Sequence, residues 1–157
     1  MEMRCPFANG KDLLILLLVV ISATGSAQID LKKPPWENLP CEKGYTQFEM
    51  NQCSFKKFKI ADSVMNVLYK RCLSELEADL ERETKGSSPD KSQMEYLKNL
   101  MADVKDSQQN FVRYRETIEK YFSIKYQGGT IRPQMMNMGS LDVTVDRIKT
   151  LNNMLSE

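Results

Sequence analysis

The sequence predicts an all-α fold: a long antiparallel helical hairpin, covered by a shorter third helix and stapled by an N-terminal disulfide. Three observations lead there. Apolar residues recur at helical spacing through two long segments. The break between those segments, KGSSPD at 85–90, is so short that the two helices must lie side by side. Finally, Cys41 and Cys53 flank the start of the first helix in a chain whose front reads as an export signal.

Residues 1–27 place Arg4 and Lys11 ahead of the apolar run LLILLLVVI at 13–21, followed by SATGSA with its small residues. This is the pattern of a signal peptide cut after Ala27. The run falls short of the ~20 apolar residues that a spanning helix needs, so no stable membrane insertion is expected after cleavage. A periplasmic or secreted location follows. Cys5 leaves with the leader, and Cys41, Cys53 and Cys72 remain. An oxidising compartment favours disulfides. Zinc wants four ligands from a chain that has no histidine, and a CxxC redox pair is absent. A structural Cys41–Cys53 bond is therefore expected, worth on the order of 3 kcal/mol for so small a loop.

Residues 28–40 contain Pro34, Pro35, Pro40 and the sole tryptophan, Trp36, and read as an extended lead-in. Residues 41–157 form the domain. Thr46 and Glu49 make a capping box, after which Ala61, Val64, Met65, Leu68, Cys72, Leu76 and Leu80 continue an apolar stripe. The first helix is expected over 47–84. In the break, Ser88 is the expected cap, with Pro89 at the first helical position. The second helix carries a seam at spacings of three and four: Met94, Leu97, Met101, Val104, Gln108, Phe111, Arg115, Ile118 and Phe122. Gln108 and Arg115 are polar members of that seam and need partners, which would also fix register. YQGGT at 126–130 ends the helix. A loop is expected through Pro133, Met135, Met136 and Met138, and the third helix is expected to open at Ser140 with the stripe Leu141, Val145, Ile148, Leu151 and Leu155. Cys72 falls on the core stripe, as a buried small hydrophobe or else as a thiol able to link two chains.

Composition narrows function by exclusion. The formal net charge is +1, without the basic footprint of a nucleic-acid binder. With no histidine, acid–base chemistry near neutral pH would need a shifted carboxylate, lysine or cysteine. No nucleophile elbow, phosphate loop or zinc signature is present. No enzyme activity, metal or cofactor is expected. Ten methionines are many for 157 residues, and the three at 135–138 suit either core filling or an adaptable contact surface.

Several segments in order, CEKGYTQFEMNQC at 41–53, ADSVMNVLYKR at 61–71, DSQQNFVRYRE at 106–116, GGT at 128–130 and TVDRIKTL at 144–151, resemble the lysozyme inhibitor LprI-like domain of bacterial exported proteins. The resemblance implies a small disulfide-bonded helical domain whose named activity is lysozyme inhibition. Asp62, Asn66, Tyr69, Gln108, Tyr114, Arg115, Thr144 and Arg147 match its recurring positions. Those residues are either a contact surface or hydrogen bonds inside the hairpin. Phe111 stands where the family has Trp, and Arg115-Glu116 where it has Arg-Asp. The family's later cysteine pair is missing together, at Glu119 and near Met138 or Gly139, so packing of the methionines is expected to hold that region.

The function expected is protein binding, with lysozyme as the partner the resemblance implies. Inhibition would be steric, and the carboxylates Glu75, Glu77, Asp79, Glu81 and Glu83 would steer the encounter. The rival is a structural or adaptor protein of the envelope whose hairpin binds a helical partner or self-assembles. An acidic patch beside a protruding element favours the first, an exposed apolar stripe the second.

Overall fold

The computed structural model describes residues 31–39 and 46–156. Three long helices, α1 (Gln47–Lys85), α2 (Lys91–Lys125) and α3 (Arg132–Met154), follow a single 3-10 turn at Pro35–Glu37. The expected signal segment, with the rest of 1–30, and Cys41 lie outside the described residues.

α1 starts as its sequence dictates. Thr46 accepts from the Glu49 N–H at 3.2 Å, and the Glu49 carboxylate accepts from the Thr46 N–H at 2.9 Å. At 1.5 Å per residue α1 is about 58 Å long, α2 about 52 Å and α3 about 34 Å. The cap of α2 is Asp90, not Ser88: its side chain accepts from Ser92 N–H at 2.8 Å and Gln93 N–H at 3.3 Å. The Asp90 N–H in turn donates to Glu83 of α1 at 2.7 Å, tying both ends of the break together.

α3 begins about two turns before Ser140, where a loop was expected. Gly128 turns the chain at φ +80°, a left-handed geometry that favours glycine. Arg132 N–H then donates to Gly129 C=O, and Met135 N–H to Ile131 C=O. Pro133 lies in the first turn, where its missing N–H has no helical partner to lose. The three methionines are thus helical residues, Met135 and Met136 half-buried and Met138 exposed.

The core gathers one stripe from each helix and the tryptophan. Ala61, Met65, Leu68 and Cys72 of α1 meet Ile148 and Leu151 of α3, and Trp36 closes one side at 3% exposure. Leu97 and Val104 are buried on α2. α3 packs against both arms of the hairpin. It comes close to α2 at Gly139, where a Cβ would stand 2.3 Å from the Phe122 ring.

The expected staple is corrected. Among the described residues no pair of cysteines stands at disulfide distance, and Cys41, the expected partner of Cys53, lies outside them, so what the structure shows holding the three helices together is packing and hydrogen bonds. Cys72 is the free cysteine among the described residues, and it is buried.

Candidate functional site

The polar members of the α2 seam find their partners where α1 and α3 converge on them. Arg115 donates to Asp62 of α1 at 2.5 Å and to the Thr144 hydroxyl of α3 at 3.4 Å. Its guanidinium also lies 5.3 Å from the ring centres of Phe58 and Phe111. Thr144, fully buried, donates in turn to Ser140 C=O at 2.7 Å. Two turns along α2, Gln108 accepts from Arg147 Nε at 3.2 Å and donates toward the Met65 sulfur at 3.1 Å. Arg147 also donates to Ser107 at 2.8 Å and sits 6.0 Å from the ring centre of Phe111. Both guanidinium groups therefore lie within cation–π reach of the one Phe111 ring. No buried side-chain nitrogen or oxygen among the described residues lacks a partner.

Five of the eight family-matching residues, Asp62, Gln108, Arg115, Thr144 and Arg147, belong to this inner network. Tyr69 is half-buried against the core. Asn66 and Tyr114 face solvent, and the Asn66 amide donates to Asp62 C=O of its own helix at 2.8 Å. Burial lowers the Arg147 pKa from its ordinary value, opposed by Cys72 and Tyr69. It raises the Cys72 thiol, with Glu75 adding to the rise. These groups hold three helices in register; nothing in the geometry aims them at a substrate.

Sequence reasoning missed Ser107, Ser140 and the role of Glu119. The Ser140 hydroxyl donates to the Glu119 carboxylate at 2.7 Å, spanning α3 and α2 at the very place where the family's later cysteine pair is absent. That region is held by this hydrogen bond and by the Gly139–Phe122 contact, and not by methionine packing alone. Pairing across two helices leaves no mark on linear spacing; the joint loss of two cysteines was the only available hint.

Two features of the surface stand outside the network. α3 brings Leu151 level with Cys72, whose thiol donates to Leu151 C=O at 3.7 Å, and ends at Met154. α1 continues for about 20 Å beyond Cys72, paired with the start of α2. This projecting arm carries Glu75, Glu77, Asp79, Glu81 and Glu83. Some of its charge is compensated: Arg71 pairs with Glu75 at 2.8 Å, Arg82 with Asp79 and Lys85 with Glu81. At the opposite end, an open groove of about 1000 Å³ lies between the first turns of α1 and the α2–α3 turn, lined by Phe48, Phe55, Gly128, Pro133 and Met136 among others. Among the described residues no group of three or more acidic or thiol side chains is set to hold a metal, and no helix is long and apolar enough to cross a membrane.

A family model described as lysozyme inhibitor LprI matches residues 41–151. No curated protein and no solved structure matches the chain.

Proposed function

The chain belongs to the lysozyme inhibitor LprI family, whose members are non-catalytic protein-binding inhibitors, and on that premise we propose that it binds and inhibits a lysozyme outside the cytoplasm. Residues 1–27 act as the export signal, 28–40 as a lead-in and 41–157 as the inhibitory domain, in the periplasm or after secretion. The single observation that carries the docking mode is the projecting acidic arm. Its length beyond α3 lets it approach a cleft without a clash from the body of the bundle. Its carboxylates complement the basic surface of a lysozyme, which raises the encounter rate more than the final affinity. Occupying the cleft excludes cell-wall polymer by bulk alone, which fits a chain without histidine.

The adaptor alternative draws less support. Exposed large apolar residues on α1 are Phe48, Phe55 and Val67, separated by polar residues and not joined into a continuous apolar stripe.

The test is a titration of lysozymes of goose, chicken and invertebrate type against cell walls with the purified protein. Saturable inhibition near one-to-one stoichiometry is expected for at least one type. The joint variant Glu77→Gln, Glu83→Gln should slow association several-fold, and added salt should erase the difference. Full lysozyme activity at excess inhibitor, with no complex detected for any type, would sink the proposal.

A further inference from the structure

We infer that a pocket between α2 and α3 is a binding site for a small apolar monocarboxylate, held by the Arg147 guanidinium and not turned over. Of the two guanidinium groups beside Phe111, that of Arg115 has a counter-ion in Asp62. Arg147 has none, since no carboxylate among the described residues stands within ion-pair distance of it. Its partners are neutral: Gln108 accepts from Nε and the Ser107 hydroxyl from Nη2. Nη1 donates to no residue among those described, and because no buried side-chain nitrogen among them lacks a partner, Nη1 reaches open space. Arg147 lines a pocket of about 340 Å³ there. A half-buried cation without a counter-ion is held at a cost, and the same burial lowers its pKa. An anion in the pocket would give Arg147 what Asp62 gives Arg115.

The walls select the ligand. α2 lines the pocket with Ser107, Asn110, Phe111 and Tyr114, one helix face at intervals of three and four. α3 supplies a second wall at the same intervals, with Val143 and Asp146 before Arg147 and Thr150 after it. Phe111, Tyr114 and Val143 offer apolar surface to an apolar tail. Ser107 and Thr150 use their O–H groups on the Val104 and Asp146 C=O. The Asn110 amide and the Tyr114 hydroxyl, both on exposed residues, donate to none of the described residues and are open to a ligand. A planar carboxylate matches the guanidinium fork, because Nη1 and the second N–H of Nη2 can donate to its two oxygens. Charge limits the ligand to one negative group. Asp146 lines the same pocket, and although it pairs with Lys149 at 2.7 Å, its side chain stays 74% exposed. A second negative charge on the ligand would meet that carboxylate.

This inference is independent of lysozyme binding, and its test contains no lysozyme. Sodium benzoate is titrated into the purified, isotopically labelled protein at an ionic strength held constant with chloride, and backbone amide and arginine Nε–H resonances are followed. Saturable shifts are expected at the Arg147 Nε–H and at the amides of Ser107, Asn110 and Val143, with a Kd on the order of 1 to 10 mM. Benzamide, which has the shape without the charge, and sulfate, a dianion, should each bind at least about tenfold more weakly. Arg147→Lys keeps the charge but loses the fork and should weaken benzoate about tenfold. Asp146→Asn, at an exposed position where folding is not at stake, should tighten benzoate about two- to fivefold and narrow its preference over sulfate. No saturable shift up to about 100 mM benzoate, benzamide binding as well as benzoate, or an Asp146→Asn affinity no higher than that of the parent protein would overturn the inference.

Discussion

Replacing Arg115 with methionine should cost about 2 to 3 kcal/mol of folding stability, and the structure shows why the value lies there. The change keeps the aliphatic bulk beside Phe58 and Phe111 but removes the guanidinium. It deletes the 2.5 Å pair with Asp62 and the 3.4 Å contact with Thr144. Asp62 is left with 18% of its side chain exposed and no cation at hand. A fully buried pair broken on one side costs about 3 to 5 kcal/mol, and a surface pair between about 0 and 1. At this exposure the loss falls between them, with about 0.5 to 1 kcal/mol of it from the lost cation–π contacts. The assay is urea unfolding followed by circular dichroism, with ΔG compared at unchanged slope. Asp62→Asn should cost less, because it removes the charge that Arg115→Met strands. The double variant should therefore be more stable than the sum of single losses predicts. A loss under about 0.5 kcal/mol for Arg115→Met, or strict additivity, would refute the idea that this pair is a half-buried register lock.

Gly139→Ala should destabilise by about 1 to 3 kcal/mol, as its methyl meets the Phe122 ring at 2.3 Å; thermal unfolding reads the loss, and Phe122→Leu in the same chain should recover part of it. Ser140→Ala should cost about 1 kcal/mol by stranding the Glu119 carboxylate, measured by the same urea titration. Cys72 should resist alkylation in the native protein and react on unfolding, because burial raises its pKa above the ordinary thiol value. Folding then favours the protonated thiol, so this contribution to stability is full below the unfolded thiol pKa and fades as pH rises through the folded one. Cys72→Ala should flatten stability against pH in the alkaline range.

Much of the architecture was legible in the linear chain because helices announce themselves locally. The Thr46–Glu49 box, the KGSSPD break and the seam from Met94 to Phe122 are each short-range patterns, and each produced the element expected of it. The same local logic failed where local signals conflict. Gly128, Gly129 and Pro133 all punctuate, so the eye reads a loop up to Ser140, whereas a proline in the first turn of a helix breaks no hydrogen bond and α3 starts at Arg132. Ser88 and Asp90 are both good caps, and the choice fell to Asp90, whose backbone N–H could also reach Glu83 across the turn.

What the sequence by itself determined is therefore the helical class, the hairpin, the demand of Gln108 and Arg115 for partners, and the resemblance to lysozyme inhibitors. Only the tertiary structure decided who those partners are. Asp62 is 53 residues from Arg115 and Arg147 is 39 from Gln108, and pairings at such separations depend on where three rigid helices cross. It also decided that α3 stops short of the hairpin tip. Where packing ends is a property of relative helix length and docking position, and that difference leaves the acidic arm projecting.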